Sequence, residues 1–207
     1  SALLEEGLVS PDEVFFCENG EYATVGRHIL HDHRGHGALT FHDVIKLSSN
    51  IGTAKAAQRL KPQTLYRYIR AFGFGQRTGF ELPGEIRGMV PTPAHWSKLS
   101  PYIIPIGQEV AVTPLQLAKM IATVANGGWT ITPHLVERIR TADGQIVRRY
   151  TPDPKTRLLG ARTIEELNDM LASVVESGTG QLARVQGLIV AGKTGTAQKL
   201  EPNGRYS

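Results

Sequence analysis

The chain has 207 residues, of which 41% are hydrophobic and 20% are charged, and its formal net charge is +4. This length suits one domain with a real core, and this composition excludes a wholly disordered chain. Lysine and arginine are scattered without a run of five like charges, so no nucleic-acid-binding stripe is expected.

The first predicted elements are helices that meet at a polar corner. Thr40 is a suitable N-cap for a short helix that ends near Leu47. A second helix is expected over residues 51–60, and a third begins after Pro62 and ends at Gly73. The triplet Ser48-Ser49-Asn50 therefore falls at the junction between two helices.

The clearest helix signal begins at Thr113, which with Gln116 forms a capping box ahead of an apolar run ending at residues 126–128. This helix is apolar nearly all round, which predicts burial. A hairpin follows, with residues 135–141 and 145–150 flanking Asp143-Gly144, a dipeptide that favours a type I′ turn. A further capped helix is expected from Thr163 to about residue 175.

The segment 187–200, GLIVAGKTGTAQKL, fits two kinds of site. Residues 187–194 match the phosphate-binding pattern G-x-x-x-x-G-K-[ST], which requires a helix to begin at the Lys-Thr pair. However, Leu188, Ile189 and Val190 favour an extended chain, and a strand over residues 185–198 is expected instead. In that strand Lys193 supplies a cation and Gly195 leaves room for a substrate backbone, which suits a peptide carboxylate.

The predicted elements together indicate an α+β (mixed α/β) domain with an antiparallel sheet. The chain contains the blocks FFCENGEY, GRHILHDHRGHGALTFHDVIKLSSNIGTAKAAQRL, FGFGQRTGFELPGE, GQEVAVTPLQLAKMIATVANGG, VVESGTGQLA and VAGKTGTAQKL. Through these blocks it resembles the monofunctional (class B) penicillin-binding proteins, the peptidoglycan D,D-transpeptidases of septal and sporulation type. The resemblance extends over the whole chain and implies the serine β-lactamase and penicillin-binding transpeptidase fold, with helices flanking the sheet.

The resemblance implies acyl transfer from a D-Ala-D-Ala stem peptide through a serine acyl-enzyme. By this resemblance Ser48 relays a proton, Asn50 bonds the amide side of the substrate, and Lys193 keeps the cleft positive and orients Ser48. Thr194 would bind the terminal carboxylate, and the N–H of Thr196 would form half of an oxyanion hole. The expected catalytic residues are Ser48, Asn50 and Lys193, and the expected substrate-binding residues are Thr194, Gly195 and Thr196.

One departure from the family pattern concerns the nucleophile, because no serine of this chain has a lysine three residues later. In the family that motif lies just upstream of a segment like residues 1–14, and further strands and a closing helix follow the equivalent of residue 207. Residues 1–207 are therefore expected to be a partial transpeptidase domain that alone neither acylates nor folds robustly. The alternative is a noncatalytic peptide-binding or penicillin-binding module without a nucleophile, which the sequence upstream of Ser1 would distinguish.

The resemblance also implies partners and a location. Stem peptides and β-lactams are the expected ligands, cell-wall synthesis and divisome proteins are the expected partners, and no cofactor is expected. The expected location is the extracytoplasmic face of the bacterial membrane. No apolar run in the chain approaches the length of a membrane span, so an anchor would lie outside these residues.

A group of histidines raises the alternative of a zinc site. His28, His31, His33 and His36 lie close to Asp32 in sequence, but their spacing lacks the tight ligand patterns of structural zinc sites. No metal is therefore expected. The single cysteine, Cys17, is expected to be a small buried hydrophobic residue.

Overall fold

The structure is a computed structural model that describes residues 1–26, 28–150 and 156–195. Its helices and strands are short, apart from two longer helices in the second half. The helices are α1 (Ala2–Glu5), α2 (Phe41–Lys46), α3 (Asn50–Ala57), α4 (Pro62–Ala71), α5 (Ser100–Ile103), α6 (Pro114–Ala125) and α7 (Ala161–Ser177). The strands are β1 (Val14–Phe16), β2 (Glu21–Ala23), β3 (Ile29–His31), β4 (Ala38–Thr40), β5 (Arg138–Arg140) and β6 (Ile146–Arg149).

The strands pair antiparallel as β1–β4, β2–β3 and β5–β6, with Phe15 opposite Leu39 and Tyr22 opposite Leu30. The predicted mixture of helices with antiparallel strands is confirmed. Among the described residues, no helix is both long and apolar enough to cross a membrane.

The core forms where α2, α3 and α7 pack together. Val44 of α2, Ile51 of α3 and Met170 of α7 are fully buried. A Cβ added to Gly52 would lie 2.5 Å from Val44 Cγ2, so α3 approaches α2 more closely than an unadjusted alanine would allow. This close approach positions the corner between the two helices.

The corner itself forms as the sequence predicts. Thr40 is the N-cap of α2, its hydroxyl accepting a hydrogen bond from Asp43 N at 3.1 Å, and Leu47 is the C-cap. Ser49 is the N-cap of α3, which ends at Ala57 rather than near residue 60. The Ser48-Ser49-Asn50 triplet therefore lies at the helix junction.

The helix α6 has the predicted capping box of Thr113 and Gln116, but the expectation that it is buried all round is wrong. Leu117 and Ile121 are 45% and 47% exposed. The fully buried face instead carries Gln116, whose amide donates to the carbonyls of Gln76 and Arg87 at 2.8 and 3.0 Å. The face of α6 that carries Gln116 is thus covered by the loop that contains Gln76 and Arg87. The Gln116 side chain satisfies carbonyl groups of that loop.

The β5–β6 hairpin confirms the predicted pairing, but its turn is not type I′. Gly144 has a φ of 89°, whereas Asp143 does not have the positive φ that a type I′ turn requires. Gly144 N donates to Thr141 O at 3.0 Å and Thr141 N to Gln145 O at 2.9 Å. This is the three-residue loop in which a type I turn precedes a glycine bulge.

Two expectations for the last part of the chain are wrong. The helix α7 begins at Ala161 after Gly160, so Thr163 lies inside the helix and is buried rather than capping it. Residues 185–195 are not a strand, and residues 196–198 of the predicted strand lie outside the described residues. A strand needs a ladder with a neighbour, but the backbone N–H of Gly192 donates to Leu171 O of the helix α7, at 3.0 Å.

Candidate active site

The corner between α2 and α3 places Ser48 in an unusual conformation. Its φ is +59°, in the left-handed region that non-glycine residues seldom occupy. Ser48 N donates to Ile45 O at 3.3 Å and Ser49 N donates to Val44 O at 3.0 Å. Backbone hydrogen bonds to the last turn of α2 therefore hold both serines. Such strained residues concentrate at functional sites, which makes this corner the first candidate.

The end of β3 holds this corner from the other side. Asp32 accepts the Ser49 hydroxyl at 2.6 Å and the Ile51 N–H at 3.0 Å. Asn50 Nδ2 donates to the carbonyl of His31 at 2.9 Å. A carboxylate at a helix N-terminus satisfies otherwise free N–H groups and complements the helix dipole. The corner is therefore supported by a neighbouring strand as well as by its own helices.

Lys193 reaches the same corner from the distant end of the chain. Its Nζ donates to Ser48 Oγ at 2.6 Å and to Thr194 O at 3.1 Å. The hydroxyl oxygens of Thr194 and Thr179 lie 2.9 Å apart. The predicted residues Ser48, Lys193 and Thr194 thus lie together.

The remaining predicted residues lie beside this group or outside the described residues. Asn50 follows the corner in sequence, with its amide directed to His31. Gly195 is exposed, and a Cβ built there would meet no atom within 4 Å. Thr196 lies outside the described residues.

Partial burial of its ammonium group lowers the pKa of Lys193 below the ordinary lysine value. The residue as a whole is exposed, but its charged end faces the corner. A partly desolvated ammonium beside a hydroxyl attracts an anion more strongly than a fully hydrated one does. The arrangement can therefore hold a carboxylate and transfer a proton through the Ser48 hydroxyl.

The phosphate-loop interpretation does not fit this geometry. Residues 191–195 contain no helix, although such a loop requires one to begin at the Lys-Thr pair. The zinc interpretation also lacks support, since no group of three or more histidine, cysteine, aspartate or glutamate side chains in the described ranges is arranged to hold a metal ion. Asp32 instead binds the corner through Ser49 and Ile51.

Two residues that contact this site, Asp32 and Thr179, are not among the predicted site residues. In the sequence Asp32 stands among the histidines, and Thr179 lies just beyond the expected end of α7. Asp32 is 17 residues from Ser49 and Thr179 is 15 residues from Thr194. Neither separation belongs to a local pattern, so the sequence contains no signal for either contact.

The fold agrees with comparisons to known proteins. Residues 1–207 match the family model described as the penicillin binding protein transpeptidase domain. The chain belongs to this family, and the predicted transpeptidase fold is confirmed. Penicillin-binding protein PbpB of Mycolicibacterium smegmatis is 38% identical over 98% of this chain. Stage V sporulation protein D of Bacillus subtilis is 35% identical over 100% of this chain.

Solved structures show the same fold. Penicillin binding protein 3 from Mycobacterium tuberculosis, complexed with aztreonam, is 38% identical with a TM-score of 0.89, over 100% of this chain and 48% of that one. The transpeptidase domain of Burkholderia pseudomallei penicillin-binding protein 3 is 29% identical with a TM-score of 0.87, over 100% of this chain and 59% of that one. This chain spans 32% of each of the two curated relatives named above.

Proposed function

We propose that this chain is the central part of a peptidoglycan D,D-transpeptidase, and that Ser48, Asn50 and Lys193 take part in its acyl transfer. The observation that carries this proposal is the 2.6 Å contact between Lys193 Nζ and Ser48 Oγ. This contact joins a cation to a hydroxyl. The relatives of the chain include Peptidoglycan D,D-transpeptidase FtsI of Escherichia coli, which is 31% identical over 98% of this chain.

The proposed reaction breaks the amide bond between the two D-alanines of a stem peptide. A serine outside these residues gives its proton to a base that also lies outside them, attacks the carbonyl carbon and forms an ester, and the nitrogen of the last D-alanine leaves. The Ser48 hydroxyl gives its proton to that nitrogen and receives one from the Lys193 ammonium, so that the leaving group departs as a neutral amine. An amine of a second stem peptide then attacks the ester, which forms the cross-link and breaks the ester bond. The proton that the amine loses and the proton held by the base return to the serine oxygen and to Lys193, which restores both groups.

Binding of the substrate is assigned to Lys193 and Asn50 together with the predicted substrate-binding residues. The Lys193 ammonium and the Thr194 hydroxyl hold the terminal carboxylate, and the open side of Gly195 admits the ligand backbone. Asn50 bonds the amide group before the scissile bond. Thr196 is proposed to supply an oxyanion-hole N–H by family resemblance alone.

β-Lactams are the second proposed ligand class. They carry an anionic group beside a reactive amide, as the stem peptide does, and two related structures are complexes with aztreonam and with ampicillin. Cell-wall synthesis or divisome proteins are the proposed partners, and the extracytoplasmic face of the membrane is the proposed location. Residues 1–207 would then be one part of a longer chain that supplies the nucleophile.

The test is covalent labelling of the intact protein by a fluorescent penicillin. Ser48→Ala and Lys193→Ala should each lower the acylation rate constant about a hundredfold, the size expected when one group that acts in the transition state is lost. Lys98→Ala, which removes an exposed lysine outside the site, should leave it unchanged. Wild-type rates in the Lys193 variant would overturn the proposal.

A noncatalytic module is the second candidate, since residues 1–207 contain no Ser-x-x-Lys, a fact that is compatible with both candidates. Intact-mass measurement separates the two. A transpeptidase gains the mass of one penicillin per chain, whereas a binding module shows saturable binding without a change of mass.

A further inference from the structure

The segment that follows α7, residues 178–180, contacts both halves of the site. Thr179 N donates to the carbonyl of Lys46, two residues before Ser48, at 3.3 Å. The Thr179 hydroxyl oxygen lies 2.9 Å from the Thr194 hydroxyl oxygen. Thr179 therefore connects the end of α2 with the segment that carries Lys193.

Packing fixes the position of this segment. A Cβ on Gly178 would lie 2.4 Å from Lys46 O and 2.9 Å from Val174 Cα, so only glycine fits there without a shift. Gly180 is buried and its N–H donates to Val174 O at 2.9 Å. The flanking glycines thus hold the Thr179 backbone at one place relative to α2 and α7.

Either threonine hydroxyl can donate in the contact between the two. Each hydroxyl has a single proton and can also accept. The Thr179 proton has Thr194 Oγ1 at 2.9 Å and Lys46 O at 3.5 Å as acceptors, and the shorter contact is the stronger one. If Thr179 donates to Thr194, the Thr194 proton remains available for a ligand.

We propose that Thr179 is a positioning residue that donates to the Thr194 hydroxyl and thereby directs the Thr194 proton at the carboxylate of the ligand. This inference rests on the proposed function, because it assumes that Thr194 binds that carboxylate. Its consequence is specificity: Thr179 contributes to the preference of the site for a ligand that ends in an anion over a neutral analogue.

The experiment measures acylation of the intact protein by benzylpenicillin and by its neutral carboxamide. The readout is the ratio of the two second-order rate constants. Thr179→Val removes the hydroxyl at nearly constant volume and should lower the ratio about fivefold, the effect of losing one hydrogen bond. Thr179→Ser keeps the hydroxyl and should stay within about twofold of the wild-type ratio, and Thr194→Val should lower the ratio at least as far as Thr179→Val.

Each of the following outcomes would overturn either the inference about Thr179 or the role of Thr194 on which it rests. If Thr179→Val slows both ligands equally, its role is structural and the inference is wrong. If Thr179→Ser lowers the ratio as far as Thr179→Val, the hydroxyl is not responsible and the inference is also wrong. If only Thr194→Val lowers the ratio, the inference fails while the carboxylate role of Thr194 stands. If Thr194→Val leaves the ratio unchanged, that role fails and the inference fails with it.

Discussion

The hydroxyl of Ser49 donates to the carboxylate of Asp32 at 2.6 Å. The same hydroxyl accepts the N–H of Gly52 at 3.0 Å, and the Ser49 residue is 1% exposed. One buried side chain therefore joins the end of β3 to the first turn of α3. Because Ser48 immediately precedes it in the chain, this pair also fixes where the Ser48 hydroxyl lies.

A double-mutant cycle should detect this coupling. Asp32→Ala and Ser49→Ala should each lower the free energy of unfolding by about 1–3 kcal/mol, since the first leaves the buried Ser49 hydroxyl without its acceptor and the second leaves the Gly52 N–H without its acceptor. The double variant should lose about 1 kcal/mol less than the sum of the two. Urea unfolding of the intact protein measures these values. Asp12→Ala, at an exposed aspartate, should change stability by less than about 0.5 kcal/mol, and strict additivity of the first pair would contradict the contact.

Gly52→Ala should destabilise the protein although alanine favours helices. The new methyl group would lie 2.5 Å from Val44 Cγ2 and 3.2 Å from Cys17 Sγ, and overpacking of this kind costs about 1–3 kcal/mol. Val44→Ala removes the closest atoms, so the double variant should be more stable than the sum of the single effects predicts. A Gly52→Ala variant as stable as wild type in thermal unfolding would show that α2 and α3 lie further apart.

Acylation by a penicillin should fall as pH rises through the pKa of Lys193, which burial lowers below the ordinary lysine value. The protonated ammonium attracts the ligand carboxylate and donates to Ser48, so activity is present below this pKa and is lost above it. Lys193→Arg replaces the ammonium with a guanidinium that stays charged to a much higher pH but does not give up its proton, so the rate of this variant should be lower at every pH. In pH–rate profiles of the intact protein, the decline at alkaline pH should therefore move to higher pH in this variant. A decline that stays at the same pH would show that another group causes it.

The thiol of Cys17 should be unreactive in the folded protein. The residue is fully buried, and burial raises the pKa of the thiol, so very little reactive thiolate is present at neutral pH. Labelling by a thiol-specific reagent should occur only in urea, and the Cys17→Ala variant identifies this label among any others in the intact protein. Rapid labelling of Cys17 without denaturant would contradict its placement.

Most local signals predicted their elements correctly from the sequence, with the cap at Thr163 and the type I′ turn as exceptions. The caps at Thr40 and Thr113 and the hairpin at Asp143-Gly144 act over three or four residues, and all three elements form. Non-local properties were not predictable in the same way. Residues 185–195 are rich in strand-forming side chains but have no ladder in the described part of the chain, and Leu117 is exposed on a helix that looks apolar all round.

Family membership and the order of the capped helices were determined by the sequence alone. The matching blocks are continuous stretches of sequence, and the capping hydrogen bonds join residues only three or four positions apart. Only the tertiary structure placed Lys193 beside Ser48, 145 residues away, and Thr179 beside Thr194. A hydrogen bond acts over about 3 Å, and separation along a chain does not determine distance in space. The packing of α2, α3 and α7 brings these residues within hydrogen-bonding distance, and the candidate site depends on this packing.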